Sequence, residues 1–200
     1  MKDVMIFDNF LEETKVKKLK DYFIKNQNDL TWIYFTFINY TKEGEPTVLT
    51  NPSMVKTKNN DGFVINLSRE ETPISDHIRD IIEEIKNETS KILDIEIKHT
   101  IRIKVNLTKS QTLSEKEIYE GMHVDSKSEH LTFIYYVNTN DGYTILYESD
   151  KKTIKDKINC VENRLVVFNG LTPHVGVPST NDDKCLINFN VIKKTSNKLI

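Results

Sequence analysis

Hydrophobic periodicity predicts two helices in the first half of the chain. In Leu11–Asn26, apolar residues recur at spacings of three and four, so that Val16, Leu19 and Phe23 share one face. A wider apolar stripe with the same period runs through Pro73–Leu93, and the proline that opens this segment suits a first helical turn. We therefore predict one helix in each segment.

From residue 96 onward the pattern changes to short runs of β-branched and aromatic residues, separated by turn signals such as Asn140-Asp-Gly and Asn169-Gly. The strands predicted there are Glu96–Leu107, Gly121–Asp125, Leu131–Asn138, Tyr143–Glu148, Arg164–Phe168 and Lys184–Ile192. Strands predicted earlier in the chain are Val4–Phe7, Thr31–Tyr40 and Phe63–Leu67. Helices followed by a run of antiparallel-type strands predict an α+β protein with a jelly-roll barrel, also called a double-stranded β-helix, and flanking N-terminal helices.

The length of 200 residues allows one domain with a sizeable core. No internal repeat or linker is evident, so we predict a single domain over 1–200. Its helical support spans about 1–95 and its barrel core about 96–192. The polar segment Thr41–Asp61 contains Gly and Pro and is predicted to be a long loop or lid, because loops of that length in compact domains are often functional.

Composition limits the cellular compartment and the binding partners that we expect for this protein. The net charge is −2 and the sequence pI is about 6.2, so we expect no nucleic-acid partner. The two cysteines, Cys160 and Cys185, form no disulfide framework, which indicates a reducing compartment. Neither a signal peptide nor a span of about 18 apolar residues is present, so we expect a soluble, cytoplasmic protein without a membrane partner.

The candidate chemistry lies in Gly121-Met-His123-Val-Asp125 and in Pro173-His174-Val175. Residues i and i+2 of an extended strand project to the same side, so His123 and Asp125 can converge on one metal ion. Two histidines and one carboxylate form the face that binds non-haem Fe(II) and leave coordination positions open. We therefore interpret His123, Asp125 and His174 as metal ligands and as the catalytic centre.

The order of motifs around these ligands resembles the Fe(II)/2-oxoglutarate-dependent dioxygenases, and within them the prolyl 4-hydroxylase-like group. The resemblance covers His123 to Ile192, about the C-terminal third to half of the chain. The matching text is His123-Val-Asp125, Ile134-Tyr-Tyr-Val-Asn138, Asp141-Gly-Tyr-Thr144, Asn163-Arg-Leu-Val-Val-Phe168, Pro173-His174 and Lys184. It implies an enzyme that uses Fe(II), 2-oxoglutarate as co-substrate and O₂.

The resemblance also implies contacts to 2-oxoglutarate. Lys184, ten residues after His174, stands where relatives place the basic residue that pairs with the distal carboxylate. Tyr136 matches a tyrosine that binds the same carboxylate, and Thr144 matches a position beside the co-substrate. Gly176 leaves room next to His174.

Strand alternation extends this site. If Lys184 points inward, Leu186, Asn188 and Asn190 point the same way, while Cys185, Ile187, Phe189 and Val191 face apolar packing. Buried asparagines need hydrogen bonds, so Asn188 is interpreted as a partner of the co-substrate or of water, and Asn190 as lining the substrate side.

One expected contact is missing from the strand that precedes the HxD motif. Relatives often carry a co-substrate-binding tyrosine there, and this chain has Lys104 or Asn106 near that place instead. Tyr119 is another candidate for the role. His99 and His130 have no motif support.

The leading substrate implied by the resemblance is a prolyl residue of a protein or peptide, and a free amino acid or other small molecule is the alternative. A non-catalytic jelly-roll binding module and a zinc hydrolase on the same three ligands are further alternatives. Relatives that repair alkylated bases carry two arginines, six residues apart, where this chain has Lys184 and Asn190.

Overall fold

A computed structural model of the protein describes residues 3–35, 47–49, 62–67 and 74–194. The helices are α1 Glu13–Lys20, α2 Asp76–Ile92 and α3 Glu115–Glu120, with a π-helical turn at Asp21–Lys25 and a 3₁₀ turn at Gln27–Asp29. The strands are β1 Val4–Phe7, β2 Trp32–Phe35, β3 Thr47–Leu49, β4 Gly62–Asn66, β5 Ile97–Thr108, β6 Leu131–Tyr136, β7 Tyr143–Tyr147, β8 Ile154–Asn159, β9 Arg164–Asn169, β10 His174–Val177 and β11 Lys184–Lys193.

The strands form two antiparallel sheets. The larger has eight strands in the order β1-β9-β6-β11-β5-β4-β2-β3, and the smaller has three in the order β10-β7-β8. Helices and antiparallel sheets together confirm the predicted α+β class. Because neighbours in the larger sheet are far apart in sequence, its central strands β6, β11 and β5 bring residues from distant segments side by side.

The central strand β11 separates two environments, as its alternation predicts. Cys185, Ile187, Phe189 and Val191 pack in the main core, together with the apolar faces of α1 and α2. Leu186, on the opposite face, packs in a second cluster formed by residues of both sheets. One face of the larger sheet is therefore covered by helices, and the other faces the smaller sheet.

The two predicted helices are present with different ends. In Leu11–Asn26, the α-helix covers only Glu13–Lys20 before a π-helical turn takes over, in which Phe23 is buried. α2 begins at Asp76, with Ser75 as its N-cap, and ends at Ile92. Its buried residues Ile78, Ile81, Ile82 and Ile85 form the predicted apolar stripe.

The predicted strand Gly121–Asp125 is wrong. In this segment only His123 pairs with another chain segment, through an isolated antiparallel bridge to His174. Besides the short strand β3, three elements were not predicted, for reasons visible in their sequences. β8 is a largely exposed and polar strand, β10 is short and contains a glycine, and α3 has only six residues. Ser114 and Glu117 form a reciprocal capping box at the start of α3, and this spacing is a signal that predicts a helix start.

The predicted loop Thr41–Asp61 contains a short strand, β3, which pairs with β2. The rest of that segment, 41–46 and 50–61, lies outside the described residues, and with it the lid prediction. Residues 36–40 of the predicted strand Thr31–Tyr40 also lie outside them. None of the described helices has the length and apolar character needed to cross a membrane.

Candidate active site

Three metal-ligand side chains converge between the two sheets. One ligand atom from each of His123, Asp125 and His174 lies within 4.8 Å of the others. His174 Nε2 lies 3.6 Å from Asp125 Oδ2, and His123 Nε2 lies 3.9 Å from Asp125 Oδ1. The structure therefore brings together the three ligands predicted from the sequence, although 49 or more residues separate His174 from the other two.

The backbone holds the two histidines next to each other. His123 N donates to His174 O at 3.0 Å, and His174 N donates to His123 O at 2.9 Å. β10 begins at His174 and pairs with β7, so the bridge attaches the HxD segment to the smaller sheet. This pair of hydrogen bonds, rather than a continuous strand, sets the position of the HxD motif.

Each histidine presents Nε2 to the shared centre because its Nδ1 is engaged elsewhere. Nδ1 of His123 lies 3.0 Å from the carbonyl oxygen of Gly121, and Nδ1 of His174 lies 2.9 Å from that of Thr172. A proton on Nδ1 that is donated to a carbonyl leaves a lone pair on Nε2 for a metal ion. Burial, with smaller contributions from the charges of His174 and Lys104, lowers the pKa of His123 to about 3, so its imidazole is neutral at pH 7.

The Asp125 carboxylate is held by three donors from the larger sheet. Oδ1 accepts from Arg102 Nη2 at 2.6 Å, and Oδ2 accepts from the amides of Asn188 and Asn190, each at 3.0 Å. Burial alone raises the pKa of Asp125. The hydrogen bond and charge of His174 and the charge of Lys104 outweigh burial and bring this pKa well below its ordinary value. Asp125 is therefore an oriented carboxylate anion, as a metal ligand must be.

A cavity adjoins the two histidines and is lined by side chains of both sheets. Two amide oxygens in its wall, Asn106 Oδ1 and Asn188 Oδ1, are buried and have no hydrogen-bond partner among the described residues. Buried polar atoms are nearly always satisfied in native proteins, so these oxygens indicate a polar occupant. Together with the neutral imidazole and the anionic carboxylate, they make a donor set that fits Fe(II) and a polar co-substrate. The lining residues are Lys104, Asn106, His123, Ile134, Thr144, His174, Gly176, Leu186 and Asn188.

Solved structures of other proteins share the fold of this chain. No family model and no curated protein matches the sequence. The chain is similar to a Trichoplax adhaerens prolyl hydroxylase in complex with a hypoxia inducible factor peptide fragment, with a TM-score of 0.66 and 13% identity over 95% of this chain and 83% of that one. It is similar to the viral collagen prolyl hydroxylase of Paramecium Bursaria Chlorella virus-1 in complex with 2-oxoglutarate, with a TM-score of 0.56 and 13% identity over 98% of this chain and 97% of that one. It is also similar to a 2OG-Fe(II) oxygenase family oxidoreductase from Burkholderia pseudomallei, with a TM-score of 0.60 and 9% identity over 94% of this chain and 84% of that one. The chain has the fold of these oxygenases.

On this oxygenase fold, Lys184 is buried next to Gly176, which lines the cavity. Its ammonium group donates to the carbonyl oxygens of Tyr143, at 2.8 Å, and Val177, at 2.9 Å. A Cβ added at Gly176 would lie 3.5 Å from Lys184 Nζ. The ammonium group of Lys184 is therefore adjacent to a residue of the cavity wall.

The other predicted co-substrate residues lie close by. Tyr136 is fully buried, and its hydroxyl donates to Thr144 Oγ1 at 2.7 Å. Thr144 and Asn188 line the cavity, whereas Asn190 donates to Asp125 and to Thr132 Oγ1. Asn188 and Asn190 were therefore correctly predicted to lie at the site, but their hydrogen bonds to the Asp125 carboxylate were not predicted.

Two basic residues of β5 were not assigned a role from the sequence. Arg102 contacts Asp125, and Lys104 lines the cavity. In the sequence, the signal that marks both residues is the alternation of charged residues along an otherwise apolar strand. Burial, reinforced by the nearby charge of Arg102, lowers the pKa of Lys104 to about 8. The two thus place a half-buried and a fully buried cation beside the metal ligands.

Neither the candidate Tyr119 nor His130, which has no motif support, reaches the cavity. Tyr119 is exposed on α3 and is absent from the described lining, so it does not replace the missing tyrosine. His130 is buried against Gly170, away from the three ligands, where a Cβ at position 170 would lie 2.1 Å from its Nε2. A wider polar groove of about 870 Å³ runs along the end of α2 and the start of β5, and none of the predicted site residues lines it.

Proposed function

We propose that this protein is an Fe(II)- and 2-oxoglutarate-dependent dioxygenase that hydroxylates a C–H bond and releases succinate and CO₂. The observation that carries the proposal is the face formed by His123, Asp125 and His174, with both Nδ1 atoms hydrogen-bonded away from it. Two imidazoles and one carboxylate on one side of a metal ion leave coordination positions for a chelating co-substrate and O₂.

In the proposed reaction, the side chains of this protein bind and orient the metal ion and the co-substrate. When bound, Fe(II) and 2-oxoglutarate supply the activation of O₂ and the oxidising power. Arg102, Asn188 and Asn190 keep the Asp125 carboxylate turned toward the metal. Ile134 and Leu186 give the cavity apolar walls, which limit water near the reacting atoms.

We further propose that Lys184, Tyr136, Thr144 and Asn188 contact 2-oxoglutarate, with Lys184 binding its distal carboxylate. The position of Gly176 supports this assignment, because Gly176 lines the cavity and a Cβ added there would lie 3.5 Å from Lys184 Nζ. Such a charge-assisted contact is worth about 1.5–3 kcal/mol.

For the substrate, we propose a prolyl residue of a protein or peptide. Two of the similar structures are named prolyl hydroxylases, and one of them holds a peptide fragment. A free amino acid or other small molecule is the alternative. The net charge of −2 favours neither nucleic acid nor any other polyanionic partner.

The two facing antiparallel sheets support a double-stranded β-helix within a single domain over 1–200. Cys160 and Cys185 are buried free thiols, which fits the cytoplasmic location that we propose.

The proposed function is tested by anaerobic titration of the protein with Fe(II) and 2-oxoglutarate. We expect a weak visible charge-transfer band that needs both additions and that is absent in His174→Ala, because that variant lacks one of the metal ligands. Aerobic turnover of 2-oxoglutarate to succinate then tests the chemistry. A protein that binds Fe(II) without giving the band would be a binding module, and hydrolysis that is restored by Zn²⁺ alone would indicate a zinc hydrolase; either result contradicts the proposal.

A further inference from the structure

Asn106 is a buried polar residue in the cavity wall whose amide makes no hydrogen bond in the described part of the chain. It lies on the cavity side of β5, because its neighbours Val105 and Leu107 pack in the main core. The residue is only 8% exposed. Burying an amide without a hydrogen bond is unfavourable, which indicates that a ligand in the cavity supplies the missing partner.

The other asparagine of the cavity wall, Asn188, has a fixed orientation. An ionised carboxylate only accepts hydrogen bonds, so the atom of Asn188 that lies 3.0 Å from Asp125 Oδ2 is its amide nitrogen. No such contact fixes Asn106, and a half-turn about its Cβ–Cγ bond can present either its nitrogen or its oxygen to a ligand. Asn106 can therefore donate or accept, according to what occupies the cavity.

The side chains that lie across the sheet from Asn106 cannot supply its missing partner. The strand register places it opposite Leu186 on β11 and Val64 on β4, and both side chains are apolar. Leu186 also lines the cavity, as does the apolar side chain of Ile134. A molecule bound in the cavity is therefore the partner that this amide fits.

We propose that Asn106 binds 2-oxoglutarate, by donating a hydrogen bond from its amide nitrogen to a carboxylate oxygen of the co-substrate. The keto and carboxylate oxygens of 2-oxoglutarate only accept hydrogen bonds at neutral pH, which selects the nitrogen of the amide rather than its oxygen. This inference rests on the proposed function and adds a co-substrate-binding residue to it. Because the amide is unfavourable in the metal-free protein and favourable in the complex, its removal should change stability and affinity in opposite directions.

Two variants separate the loss of a hydrogen bond from a steric effect. Asn106→Leu nearly keeps the size of the side chain and removes the amide, whereas Asn106→Ala removes the amide and leaves extra room. Asn159→Leu is the control, since Asn159 is an exposed strand residue at the end of β8. Calorimetry under anaerobic conditions measures the dissociation constant of 2-oxoglutarate on protein saturated with the redox-inert Mn²⁺. The Mn²⁺ affinity without co-substrate and the melting temperature of the metal-free protein are measured on the same variants.

We expect Asn106→Leu and Asn106→Ala each to weaken 2-oxoglutarate binding by about 10- to 100-fold, because both lose a hydrogen bond to a charged group. The Mn²⁺ affinity should stay at its wild-type value, since Asn106 has no hydrogen bond to any of the three described metal ligands. Asn106→Leu should also raise the melting temperature of the metal-free protein, because an apolar side chain replaces a buried amide without a partner. Asn159→Leu should not weaken either ligand.

Wild-type 2-oxoglutarate affinity in either Asn106 variant would overturn the inference while the proposed function stands, because a loss in the other variant would then be an effect of side-chain size. A lower Mn²⁺ affinity in both variants, or a lower melting temperature in Asn106→Leu, would make Asn106 a structural residue and would also overturn it. If wild type with bound Mn²⁺ does not bind 2-oxoglutarate, the proposed function fails, and the inference fails with it.

Discussion

Asp125 shows how the chain prepares a single ligand residue. Its side chain is 1% exposed, and both carboxylate oxygens accept hydrogen bonds from strands β5 and β11. A buried carboxylate is costly unless it is paired and hydrogen-bonded, and here a guanidinium group and two amides meet that requirement. In the proposed iron site, Arg102 is therefore a positioning residue, which would act on the metal ion through Asp125.

We expect Arg102→Gln to weaken metal binding by about 10- to 100-fold, because residues that orient metal ligands typically contribute that much. Mn²⁺ affinity, measured by calorimetry on the metal-free protein, gives the effect directly. Lys98→Gln, at an exposed position of the same strand, is the control. Unchanged Mn²⁺ affinity in Arg102→Gln would show that the two asparagines orient Asp125 without the arginine.

At the scale of elements, Asn163 joins the N-terminal segment to the larger sheet. It lies just before β9 with a φ of 63°, a left-handed conformation that asparagine tolerates better than most residues. Its amide accepts from Leu11 N at 2.7 Å and from the Tyr135 hydroxyl at 3.1 Å, and donates to Leu11 O at 2.8 Å. This single side chain anchors the segment that leads into α1 to strands β6 and β9.

Replacing Asn163 tests that junction. Asn163→Ala should lower the free energy of unfolding by about 3 kcal/mol from three lost hydrogen bonds, and by a further 1 kcal/mol or so from the left-handed backbone. Asn163→Gly loses the same hydrogen bonds without the backbone cost, so we expect it to be the milder of the two. Urea unfolding measures both variants. Equal losses would mean that backbone conformation contributes nothing, and a loss below about 1 kcal/mol would mean that the amide contacts do not stabilise the junction.

Secondary structure was predictable where local pattern was strong. The stripe of α2 and the alternation of β11 are visible in a few consecutive residues, and both are present. The polar edge strand β8 and the bridge at His123 carry no such pattern, since their pairing depends on partners elsewhere in the chain.

At the scale of the whole molecule, the loops that flank the smaller sheet are tied together by one carboxylate. Asp141 accepts hydrogen bonds from the hydroxyls of Ser179 and Thr180, from the backbone N–H of Thr180 and from the amide of Asn181. The hydrogen bond from Ser179, followed by that from Thr180, lowers the pKa of Asp141 to about 2. The folded state therefore binds this proton less readily than the unfolded chain does.

This difference gives a pH-dependent contribution to stability. Because the pKa of Asp141 is lower in the folded state, its contribution is fully present above about pH 4 and is lost as pH falls toward about 2. We expect Asp141→Asn to be less stable than wild type at pH 7, with a difference that shrinks between pH 4 and pH 2. Urea unfolding at several pH values measures it, with Asp29→Asn, in an exposed turn, as the control. A difference that stays constant down to pH 2 would contradict the assignment.

The sequence by itself determined the α+β class, the identity of the three candidate metal ligands and the faces of β11, because strand and helix periodicities and the HxD spacing are local properties. Tertiary structure alone decided that Arg102, Asn188 and Asn190 converge on Asp125. These contacts join residues 23, 63 and 65 positions apart. They depend on strand order and register, which follow from how the whole core packs, and no short stretch of sequence encodes them.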